Sequence, residues 1–328
     1  MADKPRLKIA IATYGHTRAL KSGLAPIAGV DPDFVEVVPI IGAFRRMVRD
    51  LEFDVCEMAP TTYMIARALG APYIALPIFL MRRFHHGGFV VRPDAGIRVP
   101  KDLEGKKVGV RAYSVTTGVW TRGIFVNEYS LDSSKVTWVV DDEEHVTSLK
   151  LPPNVVHAPE GKSLQSMMKA GEIQAGFSGP AGVGRAGPPI SGWDKAGAAA
   201  AADTYPELIA NVAQVEADWF RRTGIYPIHG LIVVKDEHIK RHPWLPRSLM
   251  DAFVAAKKPY LEDLRAGRGG DAPEDKRYRN FLSLMSDPLP YGMSANHPSI
   301  EALVTYSLQQ KLIPSRPQLD QVFVGIDP

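Results

Sequence analysis

Two successive rounds of short apolar segments alternating with helical ones constrain this chain more than any other feature. Leu7–Ala12, Phe34–Ile40, Phe53–Met58 and Pro72–Phe79 read as strands, rich in β-branched and aromatic residues. Between them, Ala43–Leu51 is amphipathic and carries Arg45, Arg46 and Arg49. Pro60, followed by Thr61 and Thr62, suits the first turn of a helix that runs to Leu69 and stops at Gly70. A β-α-β-α-β order of this kind predicts a parallel sheet covered by helices, an α/β fold.

After Gly88–Arg92, another strand, the run Pro93-Asp94-Ala95-Gly96 breaks the chain and a second α/β rhythm begins near Pro100. Lys107–Val110 reads as a buried strand and 117–129 as a helix, with Val119, Trp120, Gly123, Ile124 and Asn127 three and four apart. The turn between them holds Ser114, Thr116 and Thr117. A strand entering a helix through such a turn aims backbone N–H groups, and the positive end of the helix dipole, at whatever lies above it. That suits a carboxylate or phosphate; each hydroxyl residue also serves as an ordinary helix cap.

Val136–Val140 predicts a strand, 141–144 an acidic turn, and 145–160 a Pro-rich irregular stretch. Ser163–Ala170 reads as a helix, Ile173–Ser178 as a strand and 179–202, rich in Gly, Ala and Pro, as a long loop. Gly182–Gly187 fits G-x-G-x-x-G, but Pro188 and Pro189 stand where a helix should begin, so it is not read as a dinucleotide site. Tyr205–Thr223 reads as largely helical and Ile228–Lys235 as an apolar strand. Helices are expected at 236–241, 246–265, 275–285 and 297–311. His238 and His242, four apart, lack the glutamate of a zinc hydrolase and read as solvated surface histidines.

Composition removes several classes of function. With 39 basic and 36 acidic residues and a net charge of +3, the chain offers no broad face for nucleic acid. No apolar stretch reaches the length that spans a bilayer. The apolar run near the start, Leu7–Ala12, is too short for a secretion signal, so a cytoplasmic location is expected. The single cysteine, Cys56, excludes an internal disulfide and fits a reducing compartment.

Several stretches resemble the 4,5-dihydroxyphthalate decarboxylase family. They are Phe53-Asp54-Val55-Cys56-Glu57-Met58; Asp94–Ile97 through Gly105–Val110; Val119-Trp120-Thr121-Arg122-Gly123; and Arg222–Ile228. Arg241–Trp244 and Tyr291-Gly292 to Ala295-Asn296 add to them, and the similarity runs over nearly the whole chain. The chain has Gly87 and Gly88 after His86, where the family places small hydroxyl residues. The resemblance implies a type 2 periplasmic-binding-protein-like fold, with two α/β lobes around a ligand cleft. Lobe one would be 1–90 plus 230–328 and lobe two 91–229, with crossover strands near 89–92 and 228–234. Ligands of open α/β sheets bind outside the carboxyl ends of strands.

The resemblance implies loss of CO2 from a hydroxylated aromatic acid, without a cofactor or metal. Such chemistry needs a proton donor near a ring carbon and cationic or N–H anchors for a spectator carboxylate. Glu57, ending an apolar strand, is a candidate acid if burial raises its pKa; pairing with an arginine is the alternative. Arg82, Arg83, His85 and His86 cluster after the fourth strand, and His86 is chosen for proton transfer because histidine titrates near working pH. His85 joins His86 and Glu57 as a catalytic candidate.

The substrate-binding candidates are Arg18, Arg83, Tyr113, Ser114, Thr116, Thr117, Trp120, Arg122, Tyr226, His229 and Asn296. Arg18 could clamp a carboxylate or lie on the surface. Trp120 stacks on a ring or fills the core, and Arg122 reaches the cleft or bridges to Glu128. Asn296 is a helix-start residue first and a ligand contact second. The expected partner is a small aromatic carboxylate, with self-association left open. The competing reading is a solute-binding protein for a similar anion, and a weaker third is metal-assisted decarboxylation using His85 or His86 with Glu57.

Overall fold

The computed structural model describes residues 4–184 and 205–328. In chain order the strands are β1 (Arg6–Ala10), β2 (Asp31–Phe34), β3 (Val55–Met58), β4 (Tyr73–Arg82) and β5 (Phe89–Val91). They continue with β6 (Lys107–Gly109), β7 (Thr137–Val140), β8 (Val155–His157), β9 (Ala175–Phe177) and β10 (Ile228–Lys235). The helices are α1 (Arg18–Lys21), α2 (Ile41–Asp50), α3 (Pro60–Ala68), α4 (Thr116–Tyr129), α5 (Leu164–Ala170) and α6 (Val212–Thr223). Towards the C-terminus lie α7 (Asp236–Arg241), α8 (Leu245–Arg265), α9 (Pro273–Phe281), α10 (His297–Gln309) and α11 (Leu319–Val322).

Two compact units result. The first comprises Met1–Arg83, Ile228–Ile300 and Pro317–Pro328, and the second Phe84–Pro227 and Glu301–Arg316. The boundary near residue 300 falls inside α10.

The first unit is built on a sheet of order β2-β1-β3-β10-β4. β1 runs parallel to β2 and β3, while β10 runs antiparallel to its neighbours β3 and β4. Ile232, Val233 and Val234 of β10 are fully buried, as befits a central strand covered on both faces. Leu7, Ile9, Val55, Leu76, Ile78 and Ile232 join Leu245, Leu249 and Phe253 of α8 in one core. Each such side chain contributes about 1.5–3 kcal/mol on burial. The second unit has a sheet of order β5-β9-β6-β7-β8, parallel except for β5. Leu164, Met167 and Met168 of α5 pack with Val139 and Ile173 beside it.

Local chemistry explains where the elements start and stop. Pro60 occupies the first turn of α3, where no N–H is required, and Gly70 follows with φ +90°. Ser163 caps α5, its hydroxyl accepting the Ser166 amide at 3.1 Å, and Gly171 ends it at φ +77°.

Some expected boundaries move. The second strand is Asp31–Phe34, not Phe34–Ile40: Pro39 has no N–H to donate to a ladder, and Val38 is 78% exposed. Pro32 is tolerated because β2 lies at the sheet edge. Helix α6 starts at Val212 rather than near Tyr205, because Asn211 takes a left-handed conformation with φ 50°. The stretch 145–160 contains β8, an edge strand next to β7 that Pro152 and Pro153 concealed. His238 is half-buried with Nε2 2.9 Å from Asp54, so it is not the solvated surface histidine expected.

Most of the Gly-rich stretch 179–202, with Arg185, Ala186 and Gly187 of its G-x-G-x-x-G pattern, lies outside the described residues. Among the described residues no helix is long and apolar enough to cross a membrane.

Candidate active site

Because β10 is antiparallel to both β3 and β4, the carboxyl ends of β1, β3 and β4 share one edge of the first unit's sheet. That edge gathers the loop 11–17, Glu57 near the end of β3, Arg82 as the last residue of β4 with Arg83 after it, and Ile228–Gly230 at the start of β10.

Glu57 is 1% exposed. Its carboxylate accepts the Ala12 amide at 3.0 Å and the Tyr14 hydroxyl at 2.7 Å. Burial pushes its carboxyl up to about 7, against the pull of those two hydrogen bonds and of Lys21. Gly230 faces it from β10: a Cβ there would lie 3.1 Å from Glu57 Oε1.

The loop 11–17 is tightly held. The Tyr14 amide donates to Thr17 Oγ1 at 2.8 Å, and that hydroxyl donates to the Ala12 carbonyl at 2.8 Å. Gly15 has no room for a side chain, since a Cβ would come within 2.2 Å of the Tyr260 ring. His16 is fully buried, stacked on Tyr14 with centroids 5.1 Å apart, and close to Tyr260 and Tyr278. Burial and the nearby Lys257 push it down to about 3, so it is neutral. Arg18, by contrast, is exposed at the start of α1.

Arg82 is 1% exposed and donates to Asn296 and to Ser299 Oγ, the latter at 3.1 Å. Asn296 spends its amide on the Pro290 and Gly292 carbonyls, at 3.0 and 2.8 Å. It therefore clasps the 290–292 loop to β4 from its place directly ahead of α10, as expected of a helix-start residue, and its side chain is engaged by Arg82 and the two carbonyls. Arg83 is partly buried; burial and Arg277 of α9 push it down to about 10. Burial and then Arg83 and Arg277 hold His229 well below its ordinary value. Arg82, Arg83 and Arg277 thus concentrate positive charge at the sheet edge, with His229 held neutral beside them.

The second unit holds the remaining candidates. The turn after β6 does present amides to an anion, but the anion is the chain's own. The Tyr113 amide donates to Glu144 Oε1 at 2.6 Å, the Ser114 amide to Oε2 at 3.2 Å, and the Ser114 hydroxyl to the same carboxylate. The expectation of amides left open at Tyr113 and Ser114 is corrected accordingly: the acidic turn after β7 folds back to satisfy them. Thr116 begins α4 and is buried, and Thr117 is half-buried beside it.

Arg122 neither bridges to Glu128 nor stands free. It is fully buried, donates to Gln310 Oε1 at 2.7 Å and to the Tyr113 carbonyl, and lies over the Tyr113 and Trp138 rings at 4.1 and 5.0 Å. Glu128 pairs instead with Arg222 and with Trp219 Nε1. Trp120 is a core residue, edge-on to Tyr306 and stacked with His85 at 6.5 Å. His86 is 1% exposed, its ring edge-on to Trp219 at 4.9 Å in a nest with Phe84, and Tyr226 packs on Phe84 at 5.1 Å. Burial pushes His86 down to about 4, which removes the reason for choosing it: it does not titrate near working pH.

Four residues escaped the sequence reading: Tyr14, His16, Arg277 and Glu144. Tyr14 and His16 sat in a loop read for its arginine, and Arg277 sits in a charged helical run. The acidic cluster at 141–144 was the available signal for Glu144. Among the described residues no group of three or more His, Cys, Asp and Glu side chains is arranged to hold a metal ion.

The fold is that of the periplasmic binding proteins. A Candida albicans protein described as having the generic periplasmic-binding-protein fold superposes with a TM-score of 0.52 at 12% identity, covering 98% of this chain and 97% of that one. No model of a protein family matches the chain. The 4,5-dihydroxyphthalate decarboxylase of Comamonas testosteroni is 32% identical over 335 residues, covering 98% of this chain and 97% of the relative. The enzyme of the same name from Pseudomonas putida is 38% identical over 181 residues, covering 53% of this chain and 70% of the relative. The chain therefore belongs to the 4,5-dihydroxyphthalate decarboxylase family.

Proposed function

We propose that this chain catalyses the non-oxidative decarboxylation of a dihydroxylated, phthalate-type aromatic acid, with Glu57 as the source of the proton. The observation that carries the reading is a fully enclosed carboxyl at a strand end, raised to about 7, in a chain similar along its length to a named decarboxylase. A carboxyl group at that value is half protonated at neutral pH, as a general acid requires.

The chemistry balances without an oxidant. A ring hydroxyl para to the departing carboxylate pushes electron density to the carbon bearing it. That carbon takes a proton, the C–C bond breaks, CO2 leaves, and the electron pair restores the aromatic ring. From 4,5-dihydroxyphthalate the product is 3,4-dihydroxybenzoate. The second carboxylate is a spectator that needs an anchor. Arg83 and Arg277, near enough to depress Arg83, suit that role, since guanidinium groups bind carboxylates in a two-pronged way. His229, beside them and held neutral, suits an uncharged ring hydroxyl.

The reading is of a cytoplasmic lyase in aromatic-acid catabolism. The test is incubation of the purified protein with 4,5-dihydroxyphthalate, measuring CO2 and 3,4-dihydroxybenzoate. Tight binding of such acids with no turnover would favour the solute-binding alternative.

A further inference from the structure

We propose that Tyr14 carries the proton between Glu57 and the substrate ring. The inference rests on the decarboxylase reading above and concerns how its acid reaches the substrate. Glu57 is 1% exposed, and its carboxylate has two hydrogen-bonding partners among the described residues, the Ala12 amide and the Tyr14 hydroxyl. A backbone amide keeps its proton under these conditions. The phenol is the partner that can both give and take one. Tyr14, at 8% exposed, is less enclosed than Glu57.

The surroundings of Tyr14 fit a group whose position matters. Its ring is clamped against His16 with an interplanar angle of 7°, and its amide is fixed by Thr17. The neighbouring charges are few. Lys21 of α1 acts on Glu57, Glu274 of α9 on Tyr14, and Lys257 of α8 on His16; Tyr278 of α9 also faces Tyr14. Burial and Glu57 both raise the Tyr14 phenol, so a free phenolate does not accumulate.

The step conserves every atom. The Tyr14 O–H bond breaks as the ring C–H bond forms, and the Glu57 O–H bond breaks as the Tyr14 O–H bond is restored. CO2 departs, its bonding pair returning to the ring. Glu57 is left as a carboxylate held by Ala12 and Tyr14, and is reprotonated from solvent through the same hydroxyl.

The test compares wild type, Tyr14→Phe, Glu57→Gln and the double variant on 4,5-dihydroxyphthalate, with thermal melts to verify folding. Tyr14→Phe keeps the ring that stacks on His16 and removes only the hydroxyl. Expected are a loss in kcat of about 10²-fold or more with KM changed less than about threefold, and a double variant no slower than the slower single one. A Tyr14→Phe enzyme with wild-type kcat, or losses that multiply in the double variant, overturns the relay while leaving the decarboxylase reading in place. Absence of CO2 release by the wild type overturns both.

Discussion

Glu144 accepts the Tyr113 amide at 2.6 Å, so the turn ahead of α4 is met by a carboxylate that follows β7, the strand next to β6 in the same sheet. Glu144→Ala should remove a carboxylate acceptor from the Tyr113 and Ser114 amides and from the Ser114 hydroxyl. Leaving a buried donor unpaired costs about 1–3 kcal/mol, so the urea midpoint should fall visibly. If added phthalate restores the midpoint of this variant, the turn can accept an external carboxylate once its internal one is gone. An unchanged midpoint would mean that the contact contributes nothing.

Glu57 links stability to pH. Its folded-state value of about 7 lies above the ordinary 4.5, so the folded protein binds the proton more tightly than the unfolded chain. The contribution is fully present below about 4.5 and is lost as pH rises through about 7. Its size is on the order of 3 kcal/mol, taking 1.36 kcal/mol per unit. Glu57→Gln should therefore gain stability relative to wild type between pH 4 and pH 8. Denaturant melts at the two ends check this; parallel pH dependence of the two proteins would contradict it.

His86 should remain neutral throughout the working range. Its value of about 4 lies below the ordinary 6.5, so any stability linked to it is present above 6.5 and is lost as pH falls through about 4. NMR of the imidazole Cε1–H should show no titration between pH 6 and pH 8. His86→Phe should leave the position of the pH–rate limb unchanged. A limb that moves would return His86 to the acid–base step.

Arg122 and Arg18 give opposite expectations. Arg122→Ala empties a buried site and strands the Gln310 and Tyr113 acceptors, and should cost about 3 kcal/mol or more. Arg18→Ala, on the surface, should change stability by less than about 0.5 kcal/mol. Thermal melts separate the two, and a rise in KM for Arg18→Ala at unchanged melting temperature would give that residue a substrate role.

Gly230 leaves space beside the Glu57 carboxyl. A methyl there meets Glu57 Oε1 at 3.1 Å and Met81 Cβ at 3.3 Å, so either the carboxylate or the strand must shift by a few tenths of an ångström. Gly230→Ala should lower kcat more than it lowers the melting temperature. Wild-type kcat in this variant would show that Glu57 tolerates displacement.

The fold was legible because β-branched runs and Gly or Pro stops are local signals. Ile228–Lys235 and Asp236–Arg241 occur with the bounds that pattern alone predicts. Boundaries failed where a tertiary fact decided, as at the exposed Val38 or the left-handed Asn211. Glu57 could be read from its place at the end of an apolar strand, yet its environment could not. Tyr14 lies 43 residues away in sequence and reaches it only through the pairing of β1 with β3. The same non-locality hid Glu144, 31 residues from the amide it satisfies.

The position of β10 has a consequence for biogenesis. It is the last strand of its sheet to be made, yet it is inserted between two made much earlier, β3 and β4. A nascent polypeptide emerging from the ribosome would expose the facing edges of those strands until Lys235 had cleared the exit tunnel. The whole Phe84–Pro227 segment is translated in the meantime. Fragments truncated before residue 228 should accordingly aggregate or recruit chaperones, whereas Phe84–Pro227 already has all five strands of its own sheet.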